Sequence, residues 1–378
     1  MKSVSILIKP ASGLCNLRCR YCFYADEMKN RFVASYGVMN TDTLECIVKR
    51  VFAEVDGMCT FSFQGGEPTL AGLNFFKQFI AFVKRYNTRN IKTDFVIQTN
   101  GYVVDENWVR FFAENQFLVG LSLDGYRNLH DLYRVDAKQA GTFDTVLRAA
   151  KLLQKYRVEF NILTVVTAQT ARHIEKIYCF FKKNNFYYQQ YIPCLDPLKE
   201  EQGNEPYSLT PERYAQFLNL LFDLWYADFM KGRFIYNRYF ENLVGILLRQ
   251  VPEACCMLGH CTNQFVVEAD GSVYPCDFYV LDQYCIGNLV TDDFDSMKQN
   301  QVLADFIEKS RQGNETCKEC RWYALCRGGC RRDRDYDGEQ LQCNRFCSAY
   351  QSFFAYVYPR LQQVAEITAQ RLYDSSLD

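Results

Sequence analysis

Histidine is almost missing from this chain: only His130, His173 and His260 occur in 378 residues. Metals that recruit imidazole therefore find few ligands, whereas iron–sulfur centres need mainly thiolates. Charge of one sign is lacking too. The net charge is −1, and no run of five or six like charges occurs, so the basic face of a nucleic-acid binder is not expected. Arg331, Arg332 and Arg334 alternate with Asp333, Asp335 and Asp337, which reads as a solvated surface. No stretch approaches the roughly 18 apolar residues of a membrane span. The apolar run before Pro10 is too short for a signal peptide and carries no small-residue cleavage site. These absences predict a soluble, cytoplasmic protein with neither nucleic acid nor membrane as partner.

Cysteine is what the chain has in excess, with 18 residues. A disulfide framework suits exported proteins, because the cytosol keeps thiols reduced. Ligation of metal or cluster is the natural use of these thiols.

The first half alternates two periodicities. Strand-like runs fall at 5–9, 59–64, 93–98, 117–123, 158–166 and 187–192. Helical spacing falls at 41–55, with Thr41 or Asp42 as its cap, and at 73–86, 106–115, 143–156 and 171–184. Nearly continuous apolar strands between helices imply a parallel sheet covered on its outside. The fold class expected is α/β: a partial (β/α)6 barrel of the TIM type over residues 1–195, with its active site at the C-terminal ends of the strands. Residues 196–250 read as a polar linker followed by helices at 211–230 and 239–249. Residues 251–348 form a cysteine-rich domain with little regular structure, and 349–378 a closing amphipathic helix.

Cys15, Cys19 and Cys22 follow the first strand and so fall on the catalytic face. Three thiolates can hold three irons of a four-iron, four-sulfur cluster and leave the fourth open to chemistry. The bland alternative is a fragment of a zinc site or a set of buried thiols. After the second strand comes Gln64-Gly65-Gly66-Glu67-Pro68. Glycines at a strand end let a ligand approach the backbone, whose free carbonyls can accept from an ammonium group; a tight turn is the plainer reading. The third strand ends in Gln98-Thr99-Asn100-Gly101 and the fourth in Ser122-Leu123-Asp124-Gly125. Arg134 follows in the next loop and matches a carboxylate bidentately, or else makes a surface ion pair, as Asp124 can cap a helix.

The spacing C-x3-C-x2-C, with Tyr21 before the last Cys, resembles the signature of the radical S-adenosylmethionine (SAM) enzymes. That resemblance implies a cluster on Cys15, Cys19 and Cys22 whose open iron chelates SAM. It also implies SAM contacts from Tyr21, Gly65, Gly66, Glu67, Gln98, Ser122, Asp124, Arg134 and Leu195.

The second array runs Cys255-x5-Cys261-x9-Gly271-x4-Cys276, then Cys317-x2-Cys320-x5-Cys326-x3-Cys330, then Cys347. Taken alone, 317–330 is compatible with a four-cysteine zinc site. The whole array resembles the SPASM extension of radical SAM enzymes that modify peptides and proteins. By that resemblance Cys255, Cys261, Cys276 and Cys330 bind one auxiliary cluster, and Cys317, Cys320, Cys326 and Cys347 another, making three clusters in all. Cys256 competes with Cys255, and Cys343 with Cys347. Cys46, Cys59, Cys179 and Cys194 read as buried small hydrophobes, and Cys285 has no assigned place.

Local segments narrow the family. Ile8-Lys9-Pro10, Tyr36-Gly37-Val38-Met39, Phe63 to Leu70, Gln98 to Gly101, Val119 to Ser122, Tyr274 to Tyr279 and Gly328 to Arg332 resemble the anaerobic sulfatase-maturating enzymes. These convert a Cys or Ser of a sulfatase to Cα-formylglycine. The resemblance implies SAM cleavage to 5′-deoxyadenosine and methionine, a sulfatase polypeptide carrying Cys-x-Pro-x-Arg as partner, and an unidentified electron donor. It makes Asp277, next to Cys276, the proton acceptor, with Gln64 and Tyr24 orienting substrate. An ordinary Asp near pKa 3.9 faces a thiol near 8.5, an uphill transfer of roughly 6 kcal/mol, so the gap must shrink: burial can raise the Asp value, and the Cβ radical is expected to acidify its substituent. A turn Asp is the plainer reading. Rival functions are a SPASM enzyme forming thioether or other cross-links, and a non-catalytic iron–sulfur or zinc protein.

Overall fold

Six strands with one apolar face each set the frame: β1 (Ser3–Ile8), β2 (Met58–Phe63), β3 (Lys92–Thr99), β4 (Phe117–Ser122), β5 (Phe160–Val166) and β6 (Tyr188–Pro193). They pair in parallel, in chain order. The structure is a computed structural model and describes residues 1–198, 200, 202–311, 315–336 and 341–375. Lys199 and Glu201 of the expected linker, Asp337 of the mixed-charge cluster and residues 376–378 of the closing segment lie outside them.

Side-chain alternation divides the sheet into two faces. The outer face carries Phe61, Phe63, Ile97, Val119 and Leu121, all fully buried. Helices Leu73–Tyr86 and Glu106–Glu114 cover it, and rings interlock: Phe63 lies 5.0 Å from Phe76 and 4.9 Å from Phe79, and Phe76 lies 5.4 Å from Trp108. Each buried Phe contributes about 1.5–3 kcal/mol by leaving water. The inner face is different. Ser62, Gln98, Gly120, Asn161 and Gln190 line an open lumen rather than a packed core.

Short strands that follow the barrel complete the sheet. β7 (Tyr236–Asn237) extends it beyond β6, while β8 (Val266–Val267), β9 (Ser272–Tyr274) and β10 (Gly287–Asn288) extend it beyond β1. Val266 and Val267 pair in parallel with Leu7 and Ile8. These strands of two or three residues are too short to announce themselves by periodicity, yet they deliver Cys276 and Asp277 to the barrel mouth.

Several expectations need correction. Asn40, not Thr41 or Asp42, caps the first long helix: its Oδ1 accepts from Thr43 N at 2.8 Å. The expected helix at 171–184 is two helices, Ala168–Arg172 and Ile174–Lys183. A capping box between Thr167 and Thr170 starts the first, and His173 breaks it with φ −117° and ψ 19°. Helices Phe294–Lys298 and Gln301–Arg311 lie in the region expected to hold little regular structure. The closing helix, Cys347–Ser375, starts earlier and packs along Pro211–Met230. The arginine cluster is not a solvated surface: Arg331 and Arg334 are buried. Arg331 stacks over Phe306 at 4.3 Å and donates to Phe306 O at 2.8 Å, because the aromatic rings around it replace water. Among the described residues no helix is long and apolar enough to cross a membrane.

His130 tests the packing behind β4. It is fully buried; Nδ1 accepts from Asp124 N at 3.3 Å, and Nε2 lies 3.0 Å from Thr142 Oγ1. Burial pushes its imidazole down from 6.5 to about 3. The unfolded chain takes up a proton below its ordinary value while the folded chain does not, so stability falls as pH falls. Between pH 7 and 5 this group costs about 2 kcal/mol. His130→Asn keeps an acceptor for Asp124 N and removes the titration. The difference in urea midpoint between the natural chain and this variant therefore shifts steadily toward the variant on acidification; a pH-independent difference contradicts the assignment.

Candidate active site

The lumen opens at the C-terminal ends of the strands into a cavity of about 1480 Å³. Cys15, Cys19 and Cys22 line one wall, Gly65, Gly66, Gln98, Ser122, Arg134 and Leu195 the next, and Cys255, Cys261, Cys276, Asp277 and Cys330 the roof.

The three-thiol loop leaves β1 through Lys9, whose N–H donates to Val267 O at 2.8 Å. It is clamped on both sides. Glu67 N donates to Leu14 O at 2.7 Å, and Arg18 N and Arg20 N donate to Val135 O and Tyr133 O at 2.7 and 3.1 Å. Gly66 sits in the left-handed region at φ 52°, and a Cβ there would lie 2.2 Å from Leu14 O. Only glycine lets these two loops meet. The sulfurs face donors: Leu17 N and Asn100 Nδ2 reach Cys15 Sγ at 3.4 and 3.6 Å, and Arg134 Nη1 lies 3.9 Å from Cys19 Sγ. Burial pushes the Cys15 thiol up to about 11 and Cys19 to about 12, and raises Cys22 as well. Such thiols ionise readily only when a cation arrives, which suits a metal-cluster site.

Three of the expected SAM contacts spend their polar groups within the protein. Glu67 accepts from Thr69 N, Thr69 Oγ1, Thr99 Oγ1 and Asn100 N at 2.6–3.1 Å. Tyr21 donates its hydroxyl to Asp124. Asp124 also accepts from Arg134 Nε and Val165 N, both at 2.9 Å. Arg134 terminates the helix Arg127–Tyr133, which the sequence pattern hid, and its guanidinium lies 5.5 Å from the Tyr21 ring centre.

Asp277 opens a short turn directly after Cys276 and is 6% exposed. Its Oδ2 accepts from the Tyr24 hydroxyl at 2.5 Å and from Gln64 Nε2 at 2.8 Å. Gln64 Nε2 also donates to the Tyr24 oxygen at 2.7 Å. Asp277 Oδ1 is buried with no hydrogen-bond partner among the described residues. Burial raises the Asp277 carboxyl, against the Lys9 cation and the Tyr24 hydrogen bond, which lower it.

Beneath this contact lies a charge cluster that sequence reasoning missed. Lys9, Glu27, Arg31 and Glu268 are all buried. Arg31 Nη1 lies 3.2 Å from Glu268 Oε1, and Ser12 Oγ donates to Glu268 Oε2 at 2.5 Å. Burial, opposed by Lys9, lifts Glu27 to about 8. Lys9 at the end of an apolar strand was the available signal, but its acidic partners lie on other elements.

The remaining thiols fall into two neighbourhoods. The Cys276 thiol feels Cys261 and Cys255, and Cys330 feels Cys276 and Cys256, each pushed up mainly by burial. Cys326 feels Cys347, Cys317 and Cys320, and Cys347 feels Cys343 as well. Thr316 Oγ1 lies 3.2 Å from Cys343 Sγ. Among the described residues no three His, Cys, Asp or Glu side chains converge on a point that would hold a single metal ion. Of the other thiols, Cys59 and Cys194 are buried as expected, Cys46 is half-buried, and Cys179 is exposed, since the buried stripe of its helix runs through Ile174, Ile177, Tyr178 and Phe181. Cys285 packs against Val266, Tyr274 and Val280.

Comparison with known proteins agrees with this geometry. The radical SAM superfamily model matches residues 10–181, and the SPASM iron–sulfur cluster-binding domain matches 255–321. The fold and site thus define a radical SAM enzyme with a SPASM domain, which implies iron–sulfur clusters and SAM. The cysteine-type anaerobic sulfatase-maturating enzyme of Clostridium novyi (strain NT) is 52% identical over 98% of this chain and 100% of its own length. That of Clostridium perfringens (strain 13 / Type A) is 50% identical over 97% and 99%. A solved structure described as native anSMEcpe with bound AdoMet and Cp18Cys peptide superposes with TM-score 0.93 at 49% identity, covering 97% of this chain and 99% of that one. The chain belongs to the anaerobic sulfatase-maturating enzymes.

Gly66→Ala places a methyl against the Leu14 carbonyl and unseats the three-thiol loop. It is expected to weaken SAM binding at least tenfold, read by equilibrium dialysis of the anoxically reconstituted protein, with far-UV circular dichroism unchanged. Undiminished SAM binding contradicts the clamp.

Proposed function

We propose that this enzyme oxidises an active-site cysteine of a sulfatase polypeptide, within a Cys-x-Pro-x-Arg type segment, to Cα-formylglycine in the cytoplasm. Cys15, Cys19 and Cys22 hold the SAM-binding cluster. Cys255, Cys261, Cys276 and Cys330 hold one auxiliary cluster, and Cys317, Cys320, Cys326 and Cys347 the other. The neighbourhoods of the thiols support the division into two sets, with Cys256 near Cys330 and Cys343 near Cys347 as the competing ligands. The loaded centre supplies a 5′-deoxyadenosyl radical by one-electron cleavage of SAM, using an electron donor still to be identified.

The chain's own residues then do four things. The Gly65 and Gly66 carbonyls would receive the SAM ammonium, with Arg134 beside the carboxylate. Gln98 and Ser122 would offer hydrogen-bond partners to the ribose hydroxyls, and Leu195 would border the adenine. Tyr21, Glu67 and Asp124 brace that wall from behind. Asp277 takes the proton of the substrate thiol on its unpartnered Oδ1.

The balance is explicit. One hydrogen atom would leave the substrate Cβ for the adenosyl radical, the thiol proton would go to Asp277, and one further electron would pass to the auxiliary cluster that Cys255, Cys261, Cys276 and Cys330 would hold. A thioaldehyde results, and water converts it to the aldehyde with release of hydrogen sulfide. The observation that carries this reading is a buried carboxylate with one oxygen held by Tyr24 and Gln64 and the other unpartnered, beside Cys276 and in the cavity of the three-thiol loop. A raised Asp277 pKa shrinks the uphill proton transfer. The identity gap favours cysteine over serine as substrate residue, because serine-type relatives such as that of Bacteroides thetaiotaomicron are only 30% identical.

Asp277→Asn is expected to keep SAM cleavage within about threefold while formylglycine formation falls at least a hundredfold, about 2.7 kcal/mol of barrier. Chromatography for 5′-deoxyadenosine and peptide mass spectrometry measure the two together. Undiminished formylglycine from the variant removes the base assignment.

A further inference from the structure

Lys9 is 1% exposed. A buried ammonium is costly unless paired, so its partners show what holds it. Nζ lies 3.4 Å from Glu268 Oε1 and 3.7 Å from Glu27 Oε2. Glu268 already has Arg31 and the Ser12 hydroxyl. Among the described residues Glu27 Oε2 has no hydrogen-bond partner, and Lys9 is the one cation paired with it.

Three contacts then lead from Lys9 to Asp277. Glu27 Oε1 accepts from Val280 N at 3.2 Å, and Val280 closes the turn Asp277–Tyr279. The ammonium lies 4.8 Å from the Tyr24 ring centre, a cation–π contact, and the Tyr24 hydroxyl donates to Asp277. The Lys9 stem fills the space beside Gly65: a Cβ there would lie 2.6 Å from Lys9 Cε, at φ 99°. That places the stem against the residue after Gln64, the second donor to Asp277.

We infer that Lys9 is a positioning residue for the proton acceptor, acting through Glu27, Tyr24 and the 64–65 backbone to aim the Asp277 carboxylate. The inference rests on the reading of Asp277 given above.

Lys9→Met keeps the stem and removes the charge. With a sulfatase-derived cysteine peptide and dithionite, formylglycine formed per 5′-deoxyadenosine is expected to fall at least tenfold. Iron content and 5′-deoxyadenosine formation stay within about twofold. Lys9→Met/Glu27→Gln removes the stranded acid while the new amide oxygen still accepts from Val280, and is expected to recover at least threefold of that ratio over the single variant. A natural ratio in Lys9→Met, or a product loss matched by loss of 5′-deoxyadenosine, overturns the positioning role. So does a double variant no better than the single. Where Lys9→Met does not fold, Glu27→Ala reads the same route: a tenfold fall in the ratio supports it and an unchanged ratio overturns it. Failure of the natural enzyme to make formylglycine sinks the underlying reading instead.

Discussion

A hydrogen-bonded carboxylate joins the two halves of this molecule. Asp277 comes from the cysteine-rich region, and Tyr24 and Gln64 come from the barrel, separated from it by 253 and 213 residues. Satisfying that acid away from water requires both halves to be in place, because a buried carboxylate without donors is strongly disfavoured. The pairing of β8 with β1 and the ion cluster around Lys9 serve the same joint from below. The cavity exists because the barrel lumen is lined by small and polar side chains, and its roof is supplied by residues that follow Cys255.

The arrangement separates tasks between the halves. The three-thiol loop and the glycine turn after β2 form a wall stiffened by Glu67 and by the Tyr21–Asp124–Arg134 contact. Tyr21 bonds to Asp124 and Glu67 bonds to the backbone of the neighbouring strand end, so both brace the wall from within the protein. Opposite it stands a single acceptor with one oxygen held and the other unpartnered. Under the proposed function this acid would take a proton at a fixed place while leaving the wall undisturbed. Apart from the helix Gln301–Arg311, the cysteine-rich region has short strands and helices of about one turn; a bound cluster would supply folding free energy there.

Much of this was legible in the residues. The helices Leu73–Tyr86 and Pro211–Met230 appear with the bounds their periodicity gives, because a long apolar stripe has one solution. The six strands follow for the same reason. The site loops were legible because their residue types are restrictive: thiols at fixed spacing, paired glycines, an Asp after a Cys. What escaped depends on tertiary context. β8, β9 and β10 are too short to carry a period. Arg331 reads as a surface charge until Phe306 is seen beneath it. Lys9 looks like a strand end, and its role needs Glu27 and Glu268, which only the fold brings near.

The central claim is that hydrogen leaves the substrate β-carbon within a site where Asp277 receives the accompanying proton. A sulfatase-derived peptide whose reactive cysteine carries deuterium at both β positions tests this most directly, with the anoxic, reconstituted enzyme. The account predicts deuterium in the 5′-deoxyadenosine formed and a peptide in which oxygen has replaced the cysteine sulfur with one β deuterium kept. Deuterium-free 5′-deoxyadenosine accompanying that peptide product, or a cross-linked peptide that retains its sulfur, contradicts it.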